Sequence, residues 1–159
     1  MPVILSSRLR RRWISLSEVH SLAENILKAA GASRSDLSLL LVGDEAMRRL
    51  NRRYRRKDRT TDVLAFPITP TRPSPLRGGG LGRGLLGDVV ISLPQAARQA
   101  AQTGHSLDRE VAVLIAHGLL HLMGYDHERS AREARRMGLR EQSVLRRVGA
   151  IPKLVANRK

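Results

Sequence analysis

Three of the five histidines in the chain fall within eleven residues, HGLLHLMGYDH, as His117, His121 and His127. Neutral imidazole is a common metal ligand. His117 and His121 are four apart, so on a helix both rings leave the same face. Gly124 suits the left-handed conformation that ends a helix and reverses the chain, which returns His127 toward the other two. Three imidazoles converging in this way predict a zinc site with one ion per chain. Its fourth tetrahedral position would be left for water, the pattern of catalytic rather than structural zinc. Leu119, Leu120, Leu122 and Met123 supply an apolar wall. Asp126 precedes a ligand, where it would orient the ligand, act as a base or cap a turn. His20 and His105 have no such company and are expected at the surface.

The spacing equals that of the metzincin proteases, HExxHxxGxxH, glycine included. Those enzymes use the Glu after the first His as general base. Here that residue is Gly118. A metal can bind, but peptide hydrolysis by that route is not expected. The second constellation is LNRRYRRKDRTTDVLAFP, Leu50 to Pro67. From Arg48 to Arg59 eight of twelve residues are basic, with Asp58 as the one acid. A solvated helix end would intersperse acids among the bases. Guanidinium groups clamp phosphate in bidentate fashion, and Tyr54 is placed to stack on an unpaired base. Arg52, Tyr54, Arg55 and Arg56 are therefore the candidate RNA-binding residues.

These groups need elements to position them. Val3 to Ser7 reads as a short strand. Ser15 to Gly31 reads as an amphipathic helix with Ser17 as N-cap and Val19, Leu22, Ile26 and Leu27 on one face. Leu37 to Gly43 is a buried strand, and Asp44 caps a second helix reaching about Arg53, with Met47 and Leu50 facing inward. Asp62 to Ile68 and Asp88 to Ser92 are further strands. Between them, 69–86 holds three of the seven prolines and five of the thirteen glycines, which predicts a flexible loop. Helices follow over Pro94 to Gln102, Leu107 to Met123 and Ser130 to Val148, the last with an Arg-rich face. The fold class is α/β: a single small layered domain over 1–159, with a mixed sheet of about four strands and helices packed on it. Residues 153–159 would form a basic tail.

The chain of 159 residues is 42% hydrophobic, enough for one core, and carries a net charge of +15. Solubility alone needs a net charge of only about 2 to 8, so a polyanionic partner is expected. Cysteine is absent, which excludes disulfides and thiolate metal sites. No apolar run approaches the roughly 18 residues of a membrane span. The apolar Val3 to Leu5 precedes the basic Arg8, Arg10, Arg11 and Arg12, the reverse of a secretory signal. A cytoplasmic protein without membrane contact is expected.

Together HGLLHLMGYDH, NRRYRRKDRTTDVLAFP and LLGDVVIS resemble the YbeY family of bacterial rRNA-maturation endoribonucleases. The resemblance spans most of the chain in the same order. It implies metal binding by His117, His121 and His127, with His117 and His121 catalytic, and phosphate contact by Arg55. It also implies single-strand-specific, zinc-dependent cleavage of RNA in rRNA maturation, at small-subunit rRNA ends, and in ribosome quality control. The implied partners are rRNA and the ribosome, with ribosomal proteins or assembly factors beside them. Two departures stand out: Ala65 replaces the usual Ser of TDVLSFP, and the Pro/Gly-rich loop is longer than typical. Two rival functions remain: a non-catalytic rRNA-binding assembly factor with structural zinc, and a degenerate metzincin-like metallohydrolase.

Overall fold

The computed structural model describes residues 3–9, 14–68 and 85–155. The element order is β1 (Val3–Ser7), α1 (Leu16–Ala29), β2 (Asp36–Val42), α2 (Asp44–Arg55), β3 (Val63–Pro67), β4 (Leu85–Ser92), α3 (Leu93–Thr103), α4 (Leu107–Leu122) and α5 (Ala131–Val148). The strands form one mixed sheet in the order β1-β2-β4-β3. β1, β2 and β4 run parallel, and β3 lies antiparallel against β4 at the edge. Pro67 fits that edge, where its missing N–H breaks no ladder.

The apolar runs of β2 and β4 follow from burial on both faces. Leu37, Leu39, Leu41, Val89 and Ile91 join the main core with α1, α3 and α4. The alternate residues Leu40, Val42 and Val90 join Leu64 and Phe66 beneath Met47 of α2. The period of two places successive side chains on opposite faces, so α2 covers one face and the other helices cover the second. Fully buried Leu119, Ile115 and Leu22 each contribute roughly 1.5–3 kcal/mol relative to exposure.

Several boundaries differ from expectation for identifiable reasons. Ser15, not Ser17, caps α1, its hydroxyl accepting the Glu18 N–H. Gly43 occupies the cap position of α2, because the Asp44 carboxylate is taken up by tertiary partners. It accepts from Arg98 at 2.7 Å and from Ser92 and Thr60 at 3.1 Å each. The Arg98 hydrogen bond is the main cause that holds the Asp44 carboxyl below the usual carboxylate range. Strand β4 begins at Leu85, inside the segment expected to be loop, and the rest of that segment, with Arg72, Arg77 and Arg83, lies outside the described residues. So do Arg10, Arg11 and Arg12. The start of the expected basic tail is anchored: Leu154 is fully buried, and its N–H donates to Asp108. Among the described residues, no helix is long and apolar enough to cross a membrane.

Helix α4 sits between sheet and helices, which is why it is apolar nearly all round. It packs on α1, α3, α5, β3 and β4. At Gly118 the helix backbone comes close to the sheet. A Cβ there would lie 2.7 Å and 3.0 Å from the two methyls of Val89 and 3.4 Å from Val63. Gly118→Ala is therefore expected to destabilise the fold by about 1–3 kcal/mol as an overpacking change. Denaturant unfolding measures this, and unchanged stability would mean that the helix can ride up from the sheet at no cost.

Candidate active site

One stripe of α4 borders a cleft, buried at Glu110 and Leu114 and half-buried at His117 and His121. Glu110, Leu114, His117 and His121 recur at helical spacing and line a cleft of about 760 Å³. Gly118, with Val63 and Leu64 of the edge strand, also lines it. Arg55, from the last turn of α2, and Lys57 and Arg59, from the segment after it, also line the cleft.

A glycine turn completes the histidine cluster. Gly124 has φ +101°. The Tyr125 N–H donates to the Leu120 carbonyl at 3.0 Å and the Gly124 N–H to that of His121 at 3.1 Å. This Schellman pair closes the helix and folds the chain back. The Asp126 carboxylate then accepts the Glu128 N–H at 2.9 Å, bracing the turn around His127. The ring centroids of His117, His121 and His127 lie 4.8 to 5.1 Å apart. Their candidate ligand nitrogens all lie within 4.8 Å of one another. His121 Nε2 and His127 Nδ1 are 3.1 Å apart. A tetrahedral zinc with nitrogens at about 2.0–2.1 Å separates them by roughly 3.3 Å, a spacing this pair approaches, with the third ring's nitrogen within 4.8 Å. The cluster is half-buried at His117 and His121 and exposed at His127.

Glu141 of α5, which no local pattern singles out, adds a further contact. Its carboxylate accepts from His117 Nδ1 at 3.2 Å. That bond orients the ring and leaves Nε2 as the free nitrogen. Asp126, expected either beside a ligand or in a turn cap, is engaged in the turn. Burial, then the neighbouring His117 and His127, lower the His121 pKa from its ordinary value of 6.5. The neutral ring favoured in this way is the form that ligates metal.

Among the candidate RNA-binding residues, Arg55 alone lines the cleft. Its Nη2 donates to the Ala65 carbonyl on β3 at 2.9 Å, and its guanidinium lies 5.7 Å from the centre of the Phe66 ring. Arg52 instead lies 3.9 Å from Asp58, which Arg48 holds at 2.9 Å. Arg56 ends α2 in the left-handed region, φ 58°, and turns the chain toward the cleft. Buried Asn51 secures that turn by donating to the Arg59 carbonyl at 2.9 Å. Tyr54, expected to stack on a base, packs edge-to-face on Phe66 at 5.4 Å in the apolar cluster under α2. The two histidines expected at the surface are both engaged. His20 meets the Val3 carbonyl at 2.9 Å. His105 pairs with Glu110, a buried acid at the far end of the cleft stripe.

Fold and site thus define a small α/β domain whose central helix and following turn present three histidines to a cleft that Arg55, Lys57 and Arg59 also line. The family model described as endoribonuclease YbeY matches residues 6–149, and the chain belongs to that family. The endoribonuclease YbeY of Geobacter metallireducens is 41% identical over 145 residues, covering 91% of this chain and 93% of its own. That of Aquifex aeolicus is 41% identical over 138 residues, covering 87% of each chain. A solution structure of a Thermotoga maritima protein shares the fold, with a TM-score of 0.62 at 20% identity, over 92% of this chain and 88% of the other.

The depressed His121 pKa gives a pH dependence with a definite sign. The unfolded chain binds more protons than the fold between the folded pKa and 6.5. Stability of the metal-free protein is therefore full above that range and is lost as pH falls through it. Melting curves between pH 8 and pH 5 should show this fall, and His121→Gln should lessen it. An equal fall in both proteins would place the titration elsewhere.

Proposed function

We propose that this chain is a zinc-dependent, single-strand-specific endoribonuclease that acts in the cytoplasm on rRNA, at small-subunit rRNA ends, and in ribosome quality control. The observation that carries the reading is the histidine cluster and Arg55 lining one cleft. The names of the relatives support RNA as substrate.

His117, His121 and His127 would hold the ion, which when bound supplies Lewis acidity toward a phosphoryl oxygen and makes water acidic enough to attack at neutral pH. Glu141 holds His117 through Nδ1 and so leaves Nε2 as the nitrogen free to ligate. Arg55, held by the Ala65 carbonyl and the Phe66 ring, keeps its remaining donors for phosphate oxygens. Because it is already oriented, it stabilises developing charge without reorganisation. Lys57 and Arg59 draw the strand into the cleft by charge that needs no sequence. Ribosomal proteins or assembly factors would direct the enzyme to its site.

A peptidase reading fails at Gly118, where the sheet leaves no room for a Glu side chain. A structural zinc site would be closed by a fourth protein ligand, whereas among the described residues the cluster offers three.

Arg55 separates catalysis from binding. Arg55→Ala should slow single-turnover cleavage of single-stranded RNA at saturation by about a hundred- to a thousand-fold, the loss typical of one preorganised donor. Arg55→Lys should rescue poorly, since an ammonium lacks the planar fork. Arg52→Ala and Arg56→Ala should weaken affinity and leave the saturated rate nearly unchanged. Equal rates for all three alanine variants would leave only a diffuse electrostatic grip.

A further inference from the structure

The chain has four aromatic residues: one Phe, one Trp and two Tyr. Half-buried Tyr54 packs edge-to-face on Phe66 beneath α2, with the Arg53 guanidinium 5.3 Å from its ring centre. Among the described residues, Tyr125 is the one member of this set that lines the cleft. It stands on the glycine turn two residues before His127, its backbone fixed by the hydrogen bond to the Leu120 carbonyl. The side chain is half-buried, and the guanidinium of Arg136 on α5 covers its ring at 5.0 Å from the centroid. Arg136 is in turn 3.7 Å from Glu133, one turn earlier on the same helix. A ring of two torsions, clamped on one side by a cation, is a rigid surface that loses little entropy when a second flat group stacks on it.

We propose that Tyr125, braced by Arg136, is a nucleobase subsite that stacks a base of the strand whose phosphate lies at Arg55 and the histidines. The inference rests on the RNA reading of the cleft and adds a source for its single-strand preference. Arg55, Lys57 and Arg59 approach the cleft from α2 and the segment after it, whereas Tyr125 approaches from the turn after α4. The cations meet the phosphates from their side, and the ring meets an unstacked base from its own. A base inside a duplex is already stacked and paired, so it has no free face for the ring. Stacking uses the π-face that every base has, so the subsite selects for strandedness and tolerates any sequence.

The test is binding of cleavage-resistant strands, 2′-O-methylated and phosphorothioate-linked, to the full-length zinc-loaded protein. One strand carries bases, and the other is an abasic chain of the same length. The wild type should prefer the base-bearing strand by about tenfold or more, and Tyr125→Leu should remove that preference while holding the abasic chain as before. Tyr125→Phe should behave as wild type, which excludes a role for the hydroxyl. Zinc content is measured for every variant, because the position is close to His127. Equal wild-type affinity for the two strands, or an equal loss on both in Tyr125→Leu, would overturn the subsite. Such a result leaves the RNA reading intact as long as the wild type binds the base-bearing strand. Failure to bind either strand would overturn both.

Discussion

The close contact of α4 with the sheet at Gly118 governs the rest of the site. With no side chain at that position, the helix backbone settles onto Val89 and Val63. Helical geometry then fixes the remaining directions: Ile115 and Leu119 go to the core, while His117 and His121 emerge beside the edge strand. The same contact accounts for the chemistry that is missing. A Glu at position 118 would point into the sheet, so the general base of a metzincin has no place here. Histidine spacing alone therefore does not specify a reaction, because the face that the intervening residues must bury decides which groups can join the metal ligands.

The charge of the cleft is organised around this frame. Carboxylates near α2 are engaged with partners outside the cleft: Asp58 with Arg48 and Arg52, Asp44 with Arg98. These exposed pairs add little stability, but they neutralise Arg48, Arg52 and Arg98. Arg55 is held instead by a carbonyl and a ring, and its net charge remains available to an anion. Asn51 shapes the same rim through the Arg59 carbonyl, a buried polar contact that would be costly to leave unmade.

Much of this was legible in the sequence because it is local. The i, i+4 spacing of His117 and His121 and the glycine after them are short-range facts, and the turn at Gly124 follows from them. The strands β2 and β4 declared themselves as apolar runs, since burial on both faces removes alternation. What was not legible is tertiary. Glu141 lies on another helix and reaches His117 only through the packing of α5 on α4. Tyr54 shares the inward face of α2 with Met47 and Leu50, a placement set by tertiary packing on Phe66. An aromatic residue within a basic run looks like a stacking platform until the amphipathic face is assigned. Tyr125 carries no local signal of a stacking ring, because its sequence neighbours are not arginines and its cation arrives from α5. His105 looked solitary because the chain around it does not announce that Glu110 is buried.

The central claim is that one zinc ion, held by three histidines, makes the cleft an RNA-cleaving site. The direct measurement is a titration of chelator-stripped protein with zinc, followed by single-turnover cleavage of single-stranded RNA. The account predicts no cleavage without metal and a linear rise that stops at about one equivalent per chain, the stoichiometry of a three-histidine site. Cleavage by the stripped protein at the rate of the loaded one would contradict it, as would one bound equivalent that restores binding and no cleavage.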